Sequence, residues 1–174
     1  MIMNNITIRM ANDEDSAAIS DIELQAASLF PDELLPKALC SQTLPACEIE
    51  SSIQEQRLWV AESDQKLVGF ALIRSLNQLT LLAEIDVLPE YNGKGIASAL
   101  LNLIIEKLKQ RNKTALYLTT FRDFTPSRRL YDKFGFVVLE SDNIPHELRK
   151  ILVEEAIIGL GIRIAMKLTI QPYK

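Results

Sequence analysis

The segment of residues 84–101, EIDVLPEYNGKGIASALL, constrains the fold of this chain more than any other. An apolar extended run ends at Pro89, and a glycine-rich turn then opens directly into an amphipathic helix. The first N–H groups of a helix have no partner within the helix and lie at the positive end of its dipole. Gly93 and Gly95 carry no side chain, which lets a phosphate approach the backbone, and Lys94 adds a positive charge. The segment therefore predicts an anion site between a strand and a helix.

Two common phosphate-binding patterns do not fit this turn. The P-loop pattern requires a longer spacing between its glycines and a hydroxyl residue after the lysine. The dinucleotide fingerprint requires a glycine where Ser98 stands, and its acidic residue is missing from the next strand. Taken alone, the segment also fits a glycine turn that starts a helix and binds nothing.

Length and charge narrow the class of protein. The chain has 174 residues, enough for one domain with its own core, and we expect residues 1–174 to form a single domain. Nineteen Lys and Arg residues against twenty-three Asp and Glu residues give a net charge of −4, which argues against nucleic-acid binding. No apolar run is long enough to span a membrane, and the N-terminal residues lack the pattern of a signal peptide. We therefore expect a soluble, cytoplasmic protein in which Cys40 and Cys47 are reduced and no metal is bound.

Hydrophobic periodicity predicts an α/β (α+β) chain with a mixed sheet. The predicted strands are residues 6–10, a hairpin between residues 58 and 76, and segments near residues 79–88, 115–121, 136–140 and 163–170. The predicted helices follow Asn12 or Asp13, which would cap the first, and span residues 93–111, a short segment capped by Thr125, and residues 146–158. Residues 79–120 form the clearest strand–helix–strand unit.

Two motifs together make this chain resemble the GNAT superfamily of acyl-CoA-dependent N-acyltransferases. The first is Ile85-Asp86-Val87-Leu88-Pro89 followed by Asn92-Gly93-Lys94-Gly95-Ile96-Ala97, and the second is Leu130-Tyr131 followed by Gly135-Phe136. The resemblance covers roughly residues 6–140 and the last strand. It implies a GNAT-like mixed, mostly antiparallel twisted sheet with helices on both faces. The helix of residues 146–158 is an addition before the last strand.

The resemblance implies acetyl-CoA as cosubstrate and places it on particular residues. The backbone of Ile85, Asp86 and Val87 would pair with the pantetheine arm, and the Val87 N–H would polarise the thioester carbonyl. Tyr131 would protonate the leaving thiolate, a nearly balanced transfer if the tyrosine pKa stays near 10. A core aromatic is the alternative role for Tyr131. The pyrophosphate would be held by the backbone amides of Asn92, Gly93, Lys94, Gly95, Ile96 and Ala97.

The general base is less sharply defined. Glu84 and Asp86 lie two residues apart on a strand and share a face if no bulge intervenes, together with apolar Leu82 and Leu88. Partial burial would raise the pKa of a carboxylate towards a useful value. Glu84 is the preferred base, directly or through a water, while Asp86 is the alternative base or attracts a cationic amine. The third alternative is that both are solvated carboxylates on a strand face.

Two residues depart from the family pattern. The family favours Gln or Arg where Asn92 stands, and it often carries Asn, which contacts the cofactor, where Phe124 stands. Ser127 is expected to substitute for that contact. Trp59 and Phe121 are candidates for an acceptor pocket, with core packing as the alternative.

Two functions from different classes follow. The first is transfer of an acetyl group from acetyl-CoA to a primary amine, of a small molecule or a protein, by direct attack in a ternary complex. The second is a non-catalytic acyl-CoA-binding or regulatory module with the same fold. The acceptor has no readable motif, and homodimer formation stays open, although many members of the family pair and the extra helix offers an apolar face.

Overall fold

The computed structural model of the chain describes residues 6–173 as a seven-stranded sheet with five α-helices. The strands are β1 (Ile6–Met10), β2 (Leu58–Ser63), β3 (Lys66–Leu76), β4 (Leu79–Val87), β5 (Ala115–Phe121), β6 (Val137–Val138) and β7 (Arg163–Thr169). The α-helices are α1 (Ser16–Ala27), α2 (Ala46–Gln54), α3 (Ile96–Gln110), α4 (Thr125–Phe134) and α5 (His146–Ile157).

The strand order in the sheet is β1-β2-β3-β4-β5-β7-β6. Neighbouring strands are antiparallel except β4 and β5, which are parallel and joined by α3. This pair confirms the predicted strand–helix–strand unit and the mixed, mostly antiparallel sheet. The predicted hairpin is β2–β3, and its turn residues Asp64 and Gln65 have φ angles of 49° and 64°, as a tight hairpin turn requires.

Helices cover both faces of the sheet centre. All six residues from Val68 to Ile73 in β3 are buried, although side chains alternate between the faces of a strand. Gly69 faces α3, because a Cβ atom there would lie 3.3 Å from the Ile96 side chain and 2.9 Å from the Asp86 carbonyl oxygen. Helix α1 packs on β3 and β4 from the other face, and α5 packs on β7. The close approach at Gly69 fixes the start of α3 against the end of β4.

Several predicted boundaries were wrong by a few residues. Helix α3 begins at Ile96 rather than 93, because Gly95 has a φ of 80° and stands outside the helix as its N-cap. Thr125 is not the cap of α4 but its first residue, and extended Phe124 occupies the cap position without a side-chain bond. The sixth strand is two residues long, and the extra helix ends at Ile157. Asn12 does cap the short 3₁₀ turn that precedes α1.

Within residues 6–173, no helix is long and apolar enough to cross a membrane. Cys40 and Cys47 form no disulfide with each other.

We expect Gly69→Ala to lower the free energy of unfolding by about 1–3 kcal/mol, since the added methyl group would press on the Asp86 carbonyl oxygen. Urea denaturation followed by circular dichroism measures this change. An unaltered denaturation midpoint would show that β3 does not approach the Asp86 carbonyl oxygen this closely.

Candidate active site

The site begins where β4 and β5 separate. The two strands are paired at Leu81 and Tyr117, and β4 continues from there to Val87. Beyond this pair the edge of β4 that faces β5 lacks a strand partner within the described residues. An open strand edge presents N–H and C=O groups to which an extended ligand adds like another strand.

Two cavities meet at this separation. The larger has a volume of about 660 Å³ and the smaller about 230 Å³. The predicted cofactor-binding residues that line the larger cavity are Ile85, Asp86, Val87, Asn92, Gly93, Gly95, Ile96, Ala97 and Ser127. The structure therefore brings these nine residues together around one space.

Lys94 is placed differently from the rest of this set. Its Nζ lies 4.5 Å from the centre of the Tyr91 ring, which itself lines the larger cavity. A lysine over an aromatic face is held by a cation–π attraction. The positive charge of Lys94 therefore stands at the margin of the cavity rather than on its wall.

The glycine turn forms a cradle of backbone amides. Gly93 and Gly95 have φ angles of 75° and 80°, and a Cβ atom on either would have no neighbour within 4 Å. Ala99 is the first residue of α3 whose amide has a backbone partner, the carbonyl oxygen of Gly95. The amides of residues 96–98 thus remain available at the positive end of the helix dipole, which suits a phosphate group.

Aromatic side chains form the wall between the cavities. The Phe30 ring lies 4.6 Å from the Phe124 ring and 5.1 Å from the Phe121 ring, centre to centre, and Phe30 lines both cavities. Phe121 lines the smaller cavity, whereas Trp59 is fully buried in the core. Sequence reasoning missed Phe30, since it lies between α1 and α2, in a segment interrupted by Pro31, Pro36 and Pro45 that carries no motif.

Tyr131 stands at the junction and lines both cavities, as do Ile85, Asp86 and Ser127. The Tyr131 ring packs edge-on against Phe136, with 5.6 Å between ring centres. Burial, helped by the nearby Asp86 carboxylate, raises the pKa of the Tyr131 hydroxyl well above 10. This hydroxyl stays protonated at neutral pH and is a donor, and the nearly balanced proton transfer expected from an unshifted tyrosine does not hold.

The two predicted carboxylates share one face of β4. Glu84 pairs with Leu72 and Asp86 with Phe70, on the α1 side of the sheet. A bulge at Ala83 lies just before them, and it pairs Leu82 with Ile73 on the opposite face. The prediction that Glu84 and Asp86 share a face is confirmed, but Leu82 does not share it.

Burial changes the acidity of both carboxyl groups. Burial, with the Glu23 charge second, raises the pKa of Asp86 to about 7. Burial, followed by repulsion from Asp86, raises the pKa of Glu84 well above its usual range. With a pKa of about 7, the Asp86 carboxyl group exchanges protons near neutral pH, as a general base must.

Three further charged residues of the smaller cavity and its wall were missed. Glu23 on α1 lines the cavity, and its Oε2 accepts a hydrogen bond of 2.8 Å from the Leu44 amide. Arg163 also lines it, and is bonded to Glu155 of the extra helix at 3.0 Å. No spacing rule links α1, α5 and β7 to the glycine turn, because only the packing of distant segments brings them together.

The pKa of Asp86 generates a prediction about stability. A carboxyl whose folded-state pKa is raised stabilises the fold below its unfolded pKa near 4, and this contribution is lost as the pH rises through about 7. Asp86→Asn carries no charge at any pH, so we expect it to raise the free energy of unfolding by about 2 kcal/mol at pH 9 and little at pH 4.

Urea denaturation of both proteins at the two pH values measures the difference. Asp142→Asn, at an exposed position, is the matched control and should change neither value. An equal effect of Asp86→Asn at both pH values would show that Asp86 is not buried as a charge.

Comparisons with known proteins agree with this geometry. A family model described as the Acetyltransferase (GNAT) family matches residues 23–136. The [ribosomal protein bS18]-alanine N-acetyltransferase of Haemophilus influenzae is 33% identical over 73 residues, which are 42% of this chain and 49% of that protein. The match thus spans about half the length of that relative.

Solved structures share the whole fold. The ribosomal-protein-S18-alanine N-acetyltransferase of Escherichia coli has a TM-score of 0.69 at 22% identity, covering 97% of this chain and 96% of its own. PaiA N-acetyltransferase of Thermoplasma acidophilum, in complex with coenzyme A, has a TM-score of 0.73 at 18% identity, covering 95% and 99%. YncA of Salmonella typhimurium, a putative acetyltransferase with acetyl-CoA, has a TM-score of 0.70 at 20% identity, covering 98% and 96%. Since the family model covers more than half of its residues, this chain belongs to the GNAT acetyltransferase family.

Proposed function

We propose that this protein transfers the acetyl group of acetyl-CoA to a primary amine by direct attack in a ternary complex. The observation that carries the proposal is the meeting of two cavities at Tyr131 and the open edge of β4. One cavity fits the acyl donor and the other an acceptor, so both reactants reach the same point. Membership of the family and the N-acetyltransferase relatives support the same activity.

The larger cavity has the features that coenzyme A requires. The pyrophosphate would lie on the amides of Gly93 to Ala97, where Gly93 and Gly95 leave open space. The Asn92 amide, predicted to join them, already donates to the Pro89 carbonyl oxygen at 3.2 Å. The pantetheine arm would pair with the open edge of β4 at residues 85–87. Ser127 lines the same cavity beside Phe124, and its hydroxyl would supply a polar contact there. Acetyl-CoA supplies the thioester, whose carbon–sulfur bond breaks as the amine nitrogen bonds to the acetyl carbon.

The residues at the junction would move the two protons of this reaction. Glu84, or Asp86 in its place, would accept the proton of the attacking amine. The Val87 amide would donate a hydrogen bond to the carbonyl oxygen as it gains charge. The Tyr131 hydroxyl would give its proton to the leaving sulfur. Its raised pKa keeps it protonated at neutral pH and makes this transfer uphill relative to that from an unshifted phenol.

A non-catalytic acyl-CoA-binding or regulatory module is the second candidate. It is favoured by Phe124, whose ring packs against Phe30 at the position where the family often carries a cofactor-binding Asn, and by the short side chain of Asn92. Either function fits a single domain of residues 1–174 in the cytoplasm. Free Cys40 and Cys47 agree with a reducing compartment. A homodimer stays a prediction.

We expect coenzyme A to raise the melting temperature of the wild-type protein by several degrees at saturation, and Gly95→Ala to remove most of this rise. The added methyl group would stand in the phosphate cradle, and the left-handed backbone would relax. Thermal shift with coenzyme A measures both.

Gly159→Ala is the matched control, because Gly159 also has a left-handed φ, 95°, and open space, but lies outside the cradle. It should lose as much intrinsic stability and keep the full response to coenzyme A. Equal responses of the two variants would exclude the glycine turn as the phosphate site.

We expect Tyr131→Phe to lower turnover about 100-fold without changing coenzyme A binding, since the ring keeps its contact with Phe136 and only the hydroxyl is lost. Thiol release from acetyl-CoA with a panel of primary amines measures turnover. Tyr117→Phe, on β5 outside both cavities, is the control and should be fully active.

Three outcomes test the choice between the two candidate functions and the role of Tyr131. Turnover that depends on the Tyr131 hydroxyl supports the enzyme. Full activity of Tyr131→Phe would remove the proposed proton donor. Coenzyme A binding without acetyl transfer to any amine would favour the non-catalytic module.

A further inference from the structure

The smaller cavity contains an arginine whose hydrogen-bonding capacity is only partly used. Arg163 is the first residue of β7, and its guanidinium lies 4.4 Å from the centre of the Phe121 ring on β5. It lines the cavity, and its side chain is only 17% exposed. An arginine so far removed from water is expected to have partners for most of its N–H groups.

The partners of Arg163 are concentrated on one nitrogen. Nη2 donates to Glu155 Oε1 at 3.0 Å and to the Thr119 carbonyl and hydroxyl oxygens, both at 3.2 Å. Nε is buried and has no partner, and Nη1 donates no hydrogen bond to the described side chains or backbone. A guanidinium has five N–H groups in a planar fork that matches a carboxylate. Because Nε is sealed from solvent, Nη1 is the nitrogen that a ligand in the cavity can reach, and its unused N–H groups indicate a missing acceptor group at this end of the cavity.

The opposite end of the cavity carries three carboxyl groups. Glu84 and Asp86 lie on β4, Glu23 lies on α1, and β5 separates β4 from Arg163 in the sheet. Oε2 of Glu23 is held by the Leu44 amide. With a pKa of about 7, Asp86 is partly ionised at neutral pH and attracts an ammonium group, so the cavity has an end for a cation and an end for an anion.

Two loops join to close one side of the cavity. The Gly161 amide donates to the Leu34 carbonyl oxygen at 2.8 Å, and a Cβ atom on Gly161 would lie 2.9 Å from the Leu34 Cα. The neighbouring residues Leu35 and Leu160 line the cavity. This contact confines the cavity on the side of Arg163, where a longer acceptor would have to extend.

We propose that the acceptor is a small molecule that carries both a primary amine and a carboxylate, as a free amino acid does. Its amine would lie at Glu84 and Asp86, and its carboxylate would accept hydrogen bonds from Arg163. The inference rests on the proposed acetyl transfer and names the substrate class of the same site.

Other classes of amine fit these charges less well. A diamine would place its second ammonium group near the positive charge of Arg163 and leave the unused N–H groups without an acceptor. A peptide offers a neutral carbonyl group where a free amino acid carries its carboxylate, and its chain would meet the contact between Leu34 and Gly161. Amines without a carboxylate leave the anion end empty.

The test compares L-amino acids with their own amides in the acetyl transfer assay, together with ethylamine, putrescine and a tripeptide beginning with alanine. We expect at least one amino acid to be acetylated with a kcat/KM about tenfold or more above that of its amide. The same amino acid should raise the melting temperature of the coenzyme A complex, a readout that needs no turnover.

Arg163→Gln combined with Glu155→Gln removes the ion pair as a unit and leaves no unpaired buried charge. This double variant should raise KM for the amino acid about tenfold or more and leave KM for ethylamine unchanged. Glu155→Gln alone keeps Arg163 and should keep the preference for the carboxylate.

Each alternative outcome has one meaning. Preference for the amide, putrescine or the tripeptide, or a double variant with wild-type discrimination, would overturn the inference while acetylation of any amine upholds the proposed function. Absence of transfer to every amine would overturn the proposed function. Amino-acid stabilisation of the coenzyme A complex would then still support carboxylate binding at Arg163, and its absence would overturn that as well.

Discussion

The divergence of β4 from β5 after the pair Leu81–Tyr117 is the constraint on which the rest of the site depends. A strand edge inside a folded domain is costly if its polar groups stay unpaired, so a gap of this kind is suited to a ligand that adds as a strand. The chain leaves β4 at Val87 and enters α3 at Ile96, which places the start of the helix at the same gap. Gly69 makes this arrangement compact, because only a residue without a Cβ atom lets β3 approach both the end of β4 and Ile96.

The part of the site that depends on contiguous residues could be predicted from the sequence. The glycine turn and the two carboxylates lie within about a dozen residues, so their positions follow from one strand, one turn and one helix. Tyr131 followed from the resemblance to the family that Leu130-Tyr131 and Gly135-Phe136 carry. The bulge at Ala83 was not, since an extra residue in a strand depends on its partner, and it moved Leu82 to the other face. Phe30, Glu23 and Arg163 reach the cavity only through tertiary packing, which no local pattern encodes.

The electrostatics of the junction follow from its position between two cavities. Three acidic side chains and a tyrosine are brought together where water is largely displaced, and burial shifts all four pKa values in the direction of the neutral form. The same burial that destabilises the fold at high pH therefore keeps the Tyr131 hydroxyl protonated and raises the pKa of Asp86 to about 7. Stability and proton transfer are opposed at these residues, as is common at functional sites.

The extra helix α5 is tied to the acceptor side of the site rather than to the donor side. Glu155 reaches from α5 to Thr119 on β5 and Arg163 on β7, so the insertion is anchored to the strand that forms the far wall of the gap. The loop after α5 is in turn bonded to Leu34, in the segment between α1 and α2. The larger cavity, proposed for the acyl donor, is lined mainly by β4, the glycine turn, α3 and α4. The smaller cavity, proposed for the acceptor, is also lined by β5, the segment after α1, and Leu160 and Arg163 beyond α5. Substitutions in the segment after α1 or at Leu160 can therefore change the proposed acceptor side without disturbing the glycine turn, which is proposed to receive the phosphate.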